Sequence, residues 1–361
     1  MEIKTKQENL LSALNGVSKA IPSKTTMSIL ECVLISVEND EVHLIGNNME
    51  LGIEIIVDDC EIKEDGKVCV DAKTLMGIVS KLNGGEVTLK TDEVMMSIKC
   101  GRSKFNISIK ESSEFPALDM VSRDNHITID QEELKDAIRQ TVFSTSTNDN
   151  NIILTGELFE VDGDKLKIVA LDGHRVAIRE IMLDGEYEAT KLIIPAKTSN
   201  EIVKLLGEGD VDIFYTDTQV AFSFGNTFVT SRLIEGEFYD INKMMRVEPT
   251  TTVKVDRQEL LSCMDRTMLL VRDIDRKPAM ITIGDTLKVE MKSQLGSMDE
   301  EIEVEANGDT LKIGLNPRFM LDILKAIDDV MVTLSFSGNS APCFVNGDGY
   351  SYCALPIRYQ A

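Results

Sequence analysis

The sequence predicts an α+β protein built from three copies of one domain, each with two helices backed by antiparallel sheets. Two motifs predict this, because each occurs three times in the same order. The first is a strand end running into a helix: IKTKQENLLSAL (3–14), ITIDQEELKDAI (127–138) and VKVDRQELLSCM (253–264). The second lies about 65 residues further on: VDAKTLMGIVSKL (70–82), IPAKTSNEIVKLL (194–206) and LNPRFMLDILKAI (315–327). The predicted domains are 1–125, 126–248 and 249–361.

Apolar spacing identifies the elements inside each copy. Leu75, Ile78, Val79 and Leu82 recur at the three- and four-residue intervals of an amphipathic helix. Between the helices, alternating stretches such as VLISV, VHLIG, VTLKT and FNISIK predict antiparallel strands. The segments NGGE, GEGD and NGDGY are interpreted as hairpin turns.

Composition limits the classes of function. The net charge of −23 excludes a generally basic surface that grips nucleic acid, so any DNA contact must be local. Seven scattered Cys without a Cys-x-x-Cys pair indicate free thiols in a reducing compartment. The amino terminus, MEIKTKQENL, is charged and strand-like, so it is not expected to be a signal peptide. No apolar run reaches the length of a membrane helix, and the expected location is the cytoplasm.

Charge is distributed unevenly along the sequence. The six helical segments, taken with their flanks, carry a net charge of +5, which leaves −28 for the remainder. Lys73, Lys197 and Arg318 recur at one repeat position. Three similar domains form either a solenoid or an arc, and an arc with complementary ends can close head to tail. If the helices line a hole, its weakly positive wall faces DNA phosphates without fixing the DNA at one place. Solvated helix faces are the alternative interpretation.

No motif supports catalysis. The three His residues are not spaced with carboxylates as a metal set, and no Gly-rich phosphate loop or Gly-x-Ser-x-Gly is present. The chain is therefore expected to be a non-catalytic protein without metal or cofactor. Two rivals remain: an enzyme with magnesium held by acidic residues between domains, and an interaction scaffold with no role on DNA.

Across essentially its whole length the sequence resembles the bacterial DNA polymerase III β subunit family, the β sliding clamps. The resemblance rests on the triple repeat, VALDGHRVAIRE (169–180), SRLIEGEFYDI (231–241) and YCALPIR (352–358). It implies a homodimeric ring of six domains around duplex DNA, whose helices line the channel. It also implies a processivity factor of DNA replication that tethers polymerases, the clamp loader and repair proteins.

The resemblance further implies three sets of site residues. A hydrophobic pocket between the second and third domains takes a Gln-Leu-x-Leu-Phe type peptide. Its matching positions here are Leu154, Leu171, Gly173, His174, Arg175, Val176, Lys243, Met244, Pro342, Cys353, Leu355, Pro356, Ile357 and Arg358. The residues expected to face DNA are Lys24, Lys73, Lys81, Asn148, Lys197, Lys204, Arg318 and Lys325. At the dimer contact, Phe105 and Ile107 are expected to meet Leu269 and Leu270.

Overall fold

The computed structural model describes residues 1–118, 121–148, 150–245, 248–271 and 277–358, without the side chain of Lys243. Within these ranges the chain forms two compact units. Unit 1 contains residues 1–132 and 204–233, and unit 2 contains residues 133–203 and 234–361.

The first repeat contains two helices, α1 (Gln7–Val17) and α2 (Ala72–Val79). Its strands are β1 (Glu2–Lys6), β2 (Cys32–Glu38), β3 (Glu41–Asn47), β4 (Leu51–Ile56), β5 (Glu61–Glu64), β6 (Gly66–Asp71), β7 (Glu86–Thr91), β8 (Met95–Cys100) and β9 (Ser103–Lys110). Leu75 and Val79 of α2 are fully buried, so the predicted apolar face is the one that packs on the sheet.

The second repeat contains α3 (Gln131–Thr141), α4 (Ala196–Val203) and a short helix that was not predicted, α5 (Asn242–Met245). Its strands are β10 (His126–Asp130), β11 (Gly156–Leu171), β12 (Arg175–Pro195), β13 (Asp210–Tyr215), β14 (Gln219–Phe224) and β15 (Thr227–Arg232). β11 is long because it runs on where the first repeat has β2 and β3, and β12 is long because it runs on where the first repeat has β4, β5 and β6.

The third repeat contains α6 (Arg257–Met268) and α7 (Pro317–Ala326). Its strands are β16 (Thr251–Asp256), β17 (Ala279–Ile283), β18 (Thr286–Ser293), β19 (Gly296–Glu303), β20 (Glu305–Gly308), β21 (Leu311–Leu315), β22 (Met331–Phe336), β23 (Cys343–Gly347) and β24 (Tyr350–Ala354). The predicted α+β class and the predicted positions of all six long helices are therefore confirmed.

All strand pairing in the described residues is antiparallel and is contained within one unit or the other. In unit 1 a 13-stranded sheet runs β10-β13-β14-β15-β4-β3-β2-β6-β9-β8-β7-β1-β5. In unit 2 a seven-stranded sheet runs β11-β12-β24-β23-β22-β16-β20, and a four-stranded sheet runs β19-β18-β17-β21.

One backbone hydrogen bond is repeated in all three copies. It joins the N–H of the first residue of α1, α3 or α6 to the carbonyl of the residue before β7, β13 or β22. The three bonds are Gln7 to Gly85 (2.8 Å), Gln131 to Gly209 (2.8 Å) and Arg257 to Val330 (2.9 Å). Because a helix leaves its first N–H groups without intrahelical partners, this bond satisfies one of them and fixes the helix to the sheet. The sequence repeat is thus a repeat of specific contacts.

For two of the three glycine-rich segments, the prediction of a hairpin turn is wrong. NGGE (83–86) and GEGD (207–210) connect a helix to a strand, and their glycines Gly85 and Gly209 supply the carbonyls just described. Only NGDGY forms a hairpin, in which Gly347 pairs with Tyr350 across a two-residue turn. Glycine-rich composition indicated a turn but not which elements it joins.

The helices are less positive than the sequence segments suggested. Within the observed bounds of the six long helices, basic and acidic residues are equal in number, at eight each. Lys19, Lys81 and Lys204 lie just past the carboxyl ends of α1, α2 and α4. A positive charge there also stabilises the helix dipole, which is a structural reason for part of the bias. The helices remain neutral in a chain of net charge −23.

The second repeat encloses a carboxyl group that the sequence did not single out. Glu157, on β11, is fully buried, and Thr141 Oγ1 lies 2.7 Å from its Oε1 and 2.8 Å from the Ala137 carbonyl oxygen. The Thr141 hydroxyl has one proton and can donate it to only one of these two oxygens. If the Glu157 carboxyl is protonated, it donates to Thr141 Oγ1 while the hydroxyl donates to the Ala137 carbonyl, so both contacts are hydrogen bonds. Burial raises the pKa of Glu157 to about 7, against smaller lowering effects of the Ser199 and Thr141 hydroxyls.

This buried carboxyl makes stability depend on pH. Because the folded pKa lies above the unfolded value, its contribution is fully present below pH 4.5 and is lost as pH rises towards 7. The expected loss is roughly 3 kcal/mol of unfolding free energy. Glu157→Gln should remove this pH-dependent component in urea titrations at pH 4.5 to 7.5. The control is Glu186→Gln at an exposed position, which should retain the wild-type slope. Equal slopes in the two variants would contradict a buried neutral Glu157.

Candidate functional site

The candidate site is built on a strand pair in unit 2. The pairing of β12 with β24 joins the second repeat to the third, with Arg175 opposite Ala354 and Val176 opposite Cys353. The turn between β11 and β12 holds the LDGHR residues, and Asp172 Oδ1 accepts hydrogen bonds from the N–H groups of His174 (2.8 Å) and Arg175 (3.0 Å). The turn and the end of β24 are thereby brought to one place.

An apolar cluster lies on this part of the sheet. Leu171, Val176 and Cys353, three of the predicted pocket residues, form its buried base, and Leu154 packs against it half-buried. Its other members were not among the predicted pocket residues; they are Ile153, Leu158, Val169, Ile178, Ile193, Ile234, Phe238, Ile241, Met245 and Phe344. Several of these could have been identified from SRLIEGEFYDI, in which Ile234, Phe238 and Ile241 recur at helical-like intervals between acidic residues.

The segment that follows β24 borders the same cluster. The N–H of Leu355 donates to the carbonyl of His174 (2.8 Å), and the N–H of Ile357 donates to that of Gly314 (2.8 Å). Leu355, Pro356 and Ile357 are half-buried, and Arg358 is exposed. Pro342, just before β23, is also half-buried, and Met244 on α5 is 42% exposed. The structure therefore brings these predicted residues around one apolar base.

Three predicted pocket residues need separate comment. Gly173 is exposed with φ +86°, a backbone conformation that favours glycine, and a Cβ there would meet nothing within 4 Å. His174 is exposed and its ring stacks on that of Phe319 with centroids 6.4 Å apart. The side chain of Lys243 lies outside the described residues.

Arg175 serves as a structural tie. Its side chain is only 10% exposed, and its guanidinium pairs with Asp172 (3.1 Å) and with Asp322 of α7 (2.6 Å). It also donates to the Phe143 carbonyl (2.5 Å) and lies 4.5 Å from the ring centroid of Phe319. Its position in the LDGHR turn thus fixes that turn to the third repeat.

The residues expected to face DNA are all exposed. Lys73, Lys197 and Arg318 are each the second residue of their helices, which supports their equivalence in the repeat. Lys81 and Lys204 follow helices, and Lys325 is in the last turn of α7. Lys24 and Asn148 lie in loops of unit 1 and unit 2 respectively.

The residues expected at the dimer contact lie on or beside strand edges. Phe105 is 42% exposed on β9, where Ile107 is half-buried. Leu269, just after α6, is 76% exposed, and Leu270 is half-buried. Leu270 lies beside Gly296 of β19: a Cβ added to this glycine would be 3.8 Å from Leu270 Cδ2.

Two further observations bear on chemistry. Within the described ranges, no group of three or more His, Cys, Asp or Glu side chains is placed to hold a metal ion. The part of the chain that the structure describes has no helix long and apolar enough to cross a membrane.

The structure thus shows repeated domains joined by strand pairing, with an apolar cluster at one junction. Comparison with known proteins then gives the family. The N-terminal, central and C-terminal domains of the DNA polymerase III beta subunit match residues 1–119, 128–240 and 243–358. The chain belongs to the DNA polymerase III beta subunit family.

Individual relatives extend over the whole chain. The beta sliding clamp of Staphylococcus aureus is 33% identical, with 99% of each chain covered. Among solved structures, a protein of Eubacterium rectale assigned to the DNA polymerase III beta subunits is 42% identical, with a TM-score of 0.95 and all of both chains covered. The DNA polymerase sliding clamp of Bacillus subtilis is 29% identical, with the same TM-score and coverage.

The burial of Arg175 predicts a large effect of its removal. Arg175→Ala should lower the unfolding free energy by about 3 kcal/mol, because Asp172 and Asp322 lose their cation in a mostly dry site. Arg175→Lys should recover little of it, since an ammonium cannot reproduce the planar fork. Thermal unfolding followed by circular dichroism measures both, with the exposed Lys165→Ala as control. Wild-type stability in Arg175→Ala would exclude the tie.

Proposed function

We propose that the chain is a sliding clamp: a non-catalytic, cytoplasmic processivity factor that closes as a homodimer around duplex DNA. It tethers polymerase subunits, the clamp loader and repair proteins through the cluster around Val176. Domain limits at 1–125, 126–248 and 249–361 are part of the proposal. The observation that carries it is membership of the family. It is supported by two strand edges, on β9 and β19, that are equivalent to the strands paired at the junctions inside the chain.

Two junctions inside the chain use the same kind of strand pair. β15 pairs with β4, and β24 pairs with β12. β9 is the counterpart of β15 and β24, because each follows a two-residue hairpin turn: Cys100 pairs with Ser103, Phe224 with Thr227, and Gly347 with Tyr350. Residues 103–108 of β9 pair only with β8 among the described residues. One edge of β9 therefore remains available for another chain.

β19 is the counterpart of β4 and β12. It is an edge strand whose only partner in the described part of the chain is β18. In the first repeat, Ile55 pairs with Leu44 on the next strand, Leu44 with Ile35, and Ile35 with Val68, which lies four residues before α2. In the third repeat, Glu300 pairs with Val289, Val289 with Ile281, and Ile281 with Ile313, which lies four residues before α7. Glu300 therefore occupies the position of Ile55.

This equivalence gives a register for the dimer. Thr227 pairs with Ile55, and Tyr350 pairs with Arg179 at the same repeat position. By the same rule, Ser103 of one protomer is expected opposite Glu300 of the partner subunit. Phe105 then lies opposite the partner's Met298, and Ile107 opposite the partner's Gly296. Leu270 is next to Gly296, so this register brings Ile107 to Leu270.

Charge favours the same pairing. Arg102 lies in the turn just before β9 and Lys104 is the second residue of β9, whereas β19 contains four acidic residues: Asp299, Glu300, Glu301 and Glu303. In the proposed register Lys104 is opposite the partner's Asp299. Opposite charges at facing edges favour this association and disfavour pairing of β9 with a second β9.

DNA contact is proposed for a sparse set of exposed residues: cations on or just after the helices, Lys24 in one loop and the neutral Asn148 in another. Lys73, Lys197 and Arg318 share one repeat position, and few strong phosphate contacts leave the duplex free to move. The acidic remainder of the chain repels DNA from other surfaces. A scaffold without a role on DNA does not require cations that recur at one position of the repeat.

The dimer contact is tested by charge substitution. Leu269→Asp with Leu270→Asp should give monomers in sedimentation velocity, because burying the new carboxylates in an apolar contact is costly. Val330→Asp is the matched control, since Val330 is 74% exposed and Leu269 is 76% exposed. It should leave the dimer intact. A dimer in the Leu269/Leu270 variant would place the contact elsewhere.

Encirclement is tested by topology. The chain is loaded by a clamp loader with ATP onto nicked circular DNA, and the circle is then cut. A clamp is retained on the circle and lost from the linear form, whereas a groove-binding protein responds to salt instead. Retention on both forms would contradict the proposal.

The proposed DNA-facing cations are tested in the same assay. Lys73→Glu, Lys197→Glu and Arg318→Glu together should reduce loading by about tenfold at low salt, since phosphate attraction is lost. The control carries the same change of charge at exposed Lys165, Lys254 and Lys292 and should load normally. Equal loading of both triple variants would remove these three residues from the DNA-facing set.

A further inference from the structure

The first junction, in unit 1, repeats the architecture of the candidate site in unit 2. Gly52 pairs with Thr230 there, as Val176 pairs with Cys353 in the second junction. The N–H of Arg232 donates to the Glu50 carbonyl (3.0 Å), as that of Leu355 donates to His174. Asn48 accepts two backbone hydrogen bonds in its turn, as Asp172 does.

The side chains of the two junctions differ in polarity. A cavity of about 70 Å³ in the first junction is lined by residues that correspond by pairing and turn position to the predicted pocket residues. Leu171, Gly173, His174, Val176, Pro342, Cys353 and Leu355 are replaced there by Asn47, Met49, Glu50, Gly52, Gln219, Thr230 and Arg232. The second junction therefore has an apolar base, and the first has a more polar one.

Leu118 fills the space that this exchange leaves. A Cβ on Gly52 would overlap Leu118 Cδ2, so the leucine lies where the Val176 side chain lies in the second junction. The segment is held in place because Asn47 Nδ2 donates to the Pro116 carbonyl (3.3 Å). Leu118 follows Phe115 by three residues, as Ile241 follows Phe238, so the two residues occupy equivalent positions in successive repeats.

We propose that Leu118 is an intramolecular occupant of the first junction and closes it to the apolar peptides proposed for the second. The inference rests on the proposed function, because it assumes that the second junction takes such peptides. Leu118 covers the base, and Asn47, Thr230 and Arg232 leave too little apolar surface for a partner's leucine. Specificity thus comes from a closed site as well as from an open one.

The test exchanges the polar residues with and without removal of Leu118. The first variant carries Asn47→Leu, Thr230→Cys and Arg232→Leu, and the second adds Leu118→Ala. A fluorescein-labelled peptide, Gln-Leu-Ser-Leu-Phe, is titrated against the full chain, and its stoichiometry is measured by native mass spectrometry. The first variant should bind one peptide per chain, like the wild type, and the second should bind two. Leu355→Asp, added to each, should remove one peptide from each.

The outcomes separate the two proposals. Absence of wild-type binding would contradict the peptide role of the second junction, while gain of one peptide on removal of Leu118 would still support the closed first junction. Two peptides on the first variant would overturn the role of Leu118, and so would no gain on the second variant when its circular dichroism is native. Leu118→Val in place of alanine checks the same step with less loss of packing, and should give weaker binding at the second stoichiometric site.

Discussion

The whole arrangement depends on backbone pairing between an edge strand of one repeat and an edge strand of the next. β4 with β15 and β12 with β24 form continuous sheets, so each junction is stabilised by hydrogen bonds that any sequence can make. The strand β9, equivalent to β15 and β24, and the strand β19, equivalent to β4 and β12, have no such partner within the described chain. Unpaired edges of this length are a liability unless another chain covers them. The same constraint therefore explains the fold and predicts the assembly.

Side chains then give each junction its own chemistry. Where the second junction has Val176 and Cys353, the first has Gly52 and Thr230, with Leu118 over the glycine. The backbone frame is common to both, and a few substitutions decide whether its apolar base is offered or filled. A repeated domain can in this way carry one kind of site without repeating it at every junction.

Much of this was predictable from the sequence because repetition is visible in one dimension. Helix positions followed from apolar spacing. Leu154, Leu171, Val176 and Cys353 followed from the family motifs, whereas the other residues of their cluster did not. The extent of the helix charge bias was not predictable, since it depended on whether Lys19, Lys81 and Lys204 fall inside the helices or just beyond them. Nor could sequence distinguish Arg175 as a buried tie from Arg175 as a pocket wall, because its acidic partner Asp322 is distant in the chain. The same holds for Glu157, which becomes unusual only through burial.

We propose that β9 of one chain completes the sheet of β19 in another, in the register of the internal junctions. Disulfide formation in a variant with Phe105→Cys and Met298→Cys tests it most directly, because only facing residues bring Cβ atoms within about 4.5 Å. Under mild oxidation we expect a covalent dimer closed at both contacts, and little cross-linking when Met298→Cys is replaced by Glu301→Cys. Efficient cross-linking of the second pair without the first, or of neither, would show that β9 and β19 do not pair in this register.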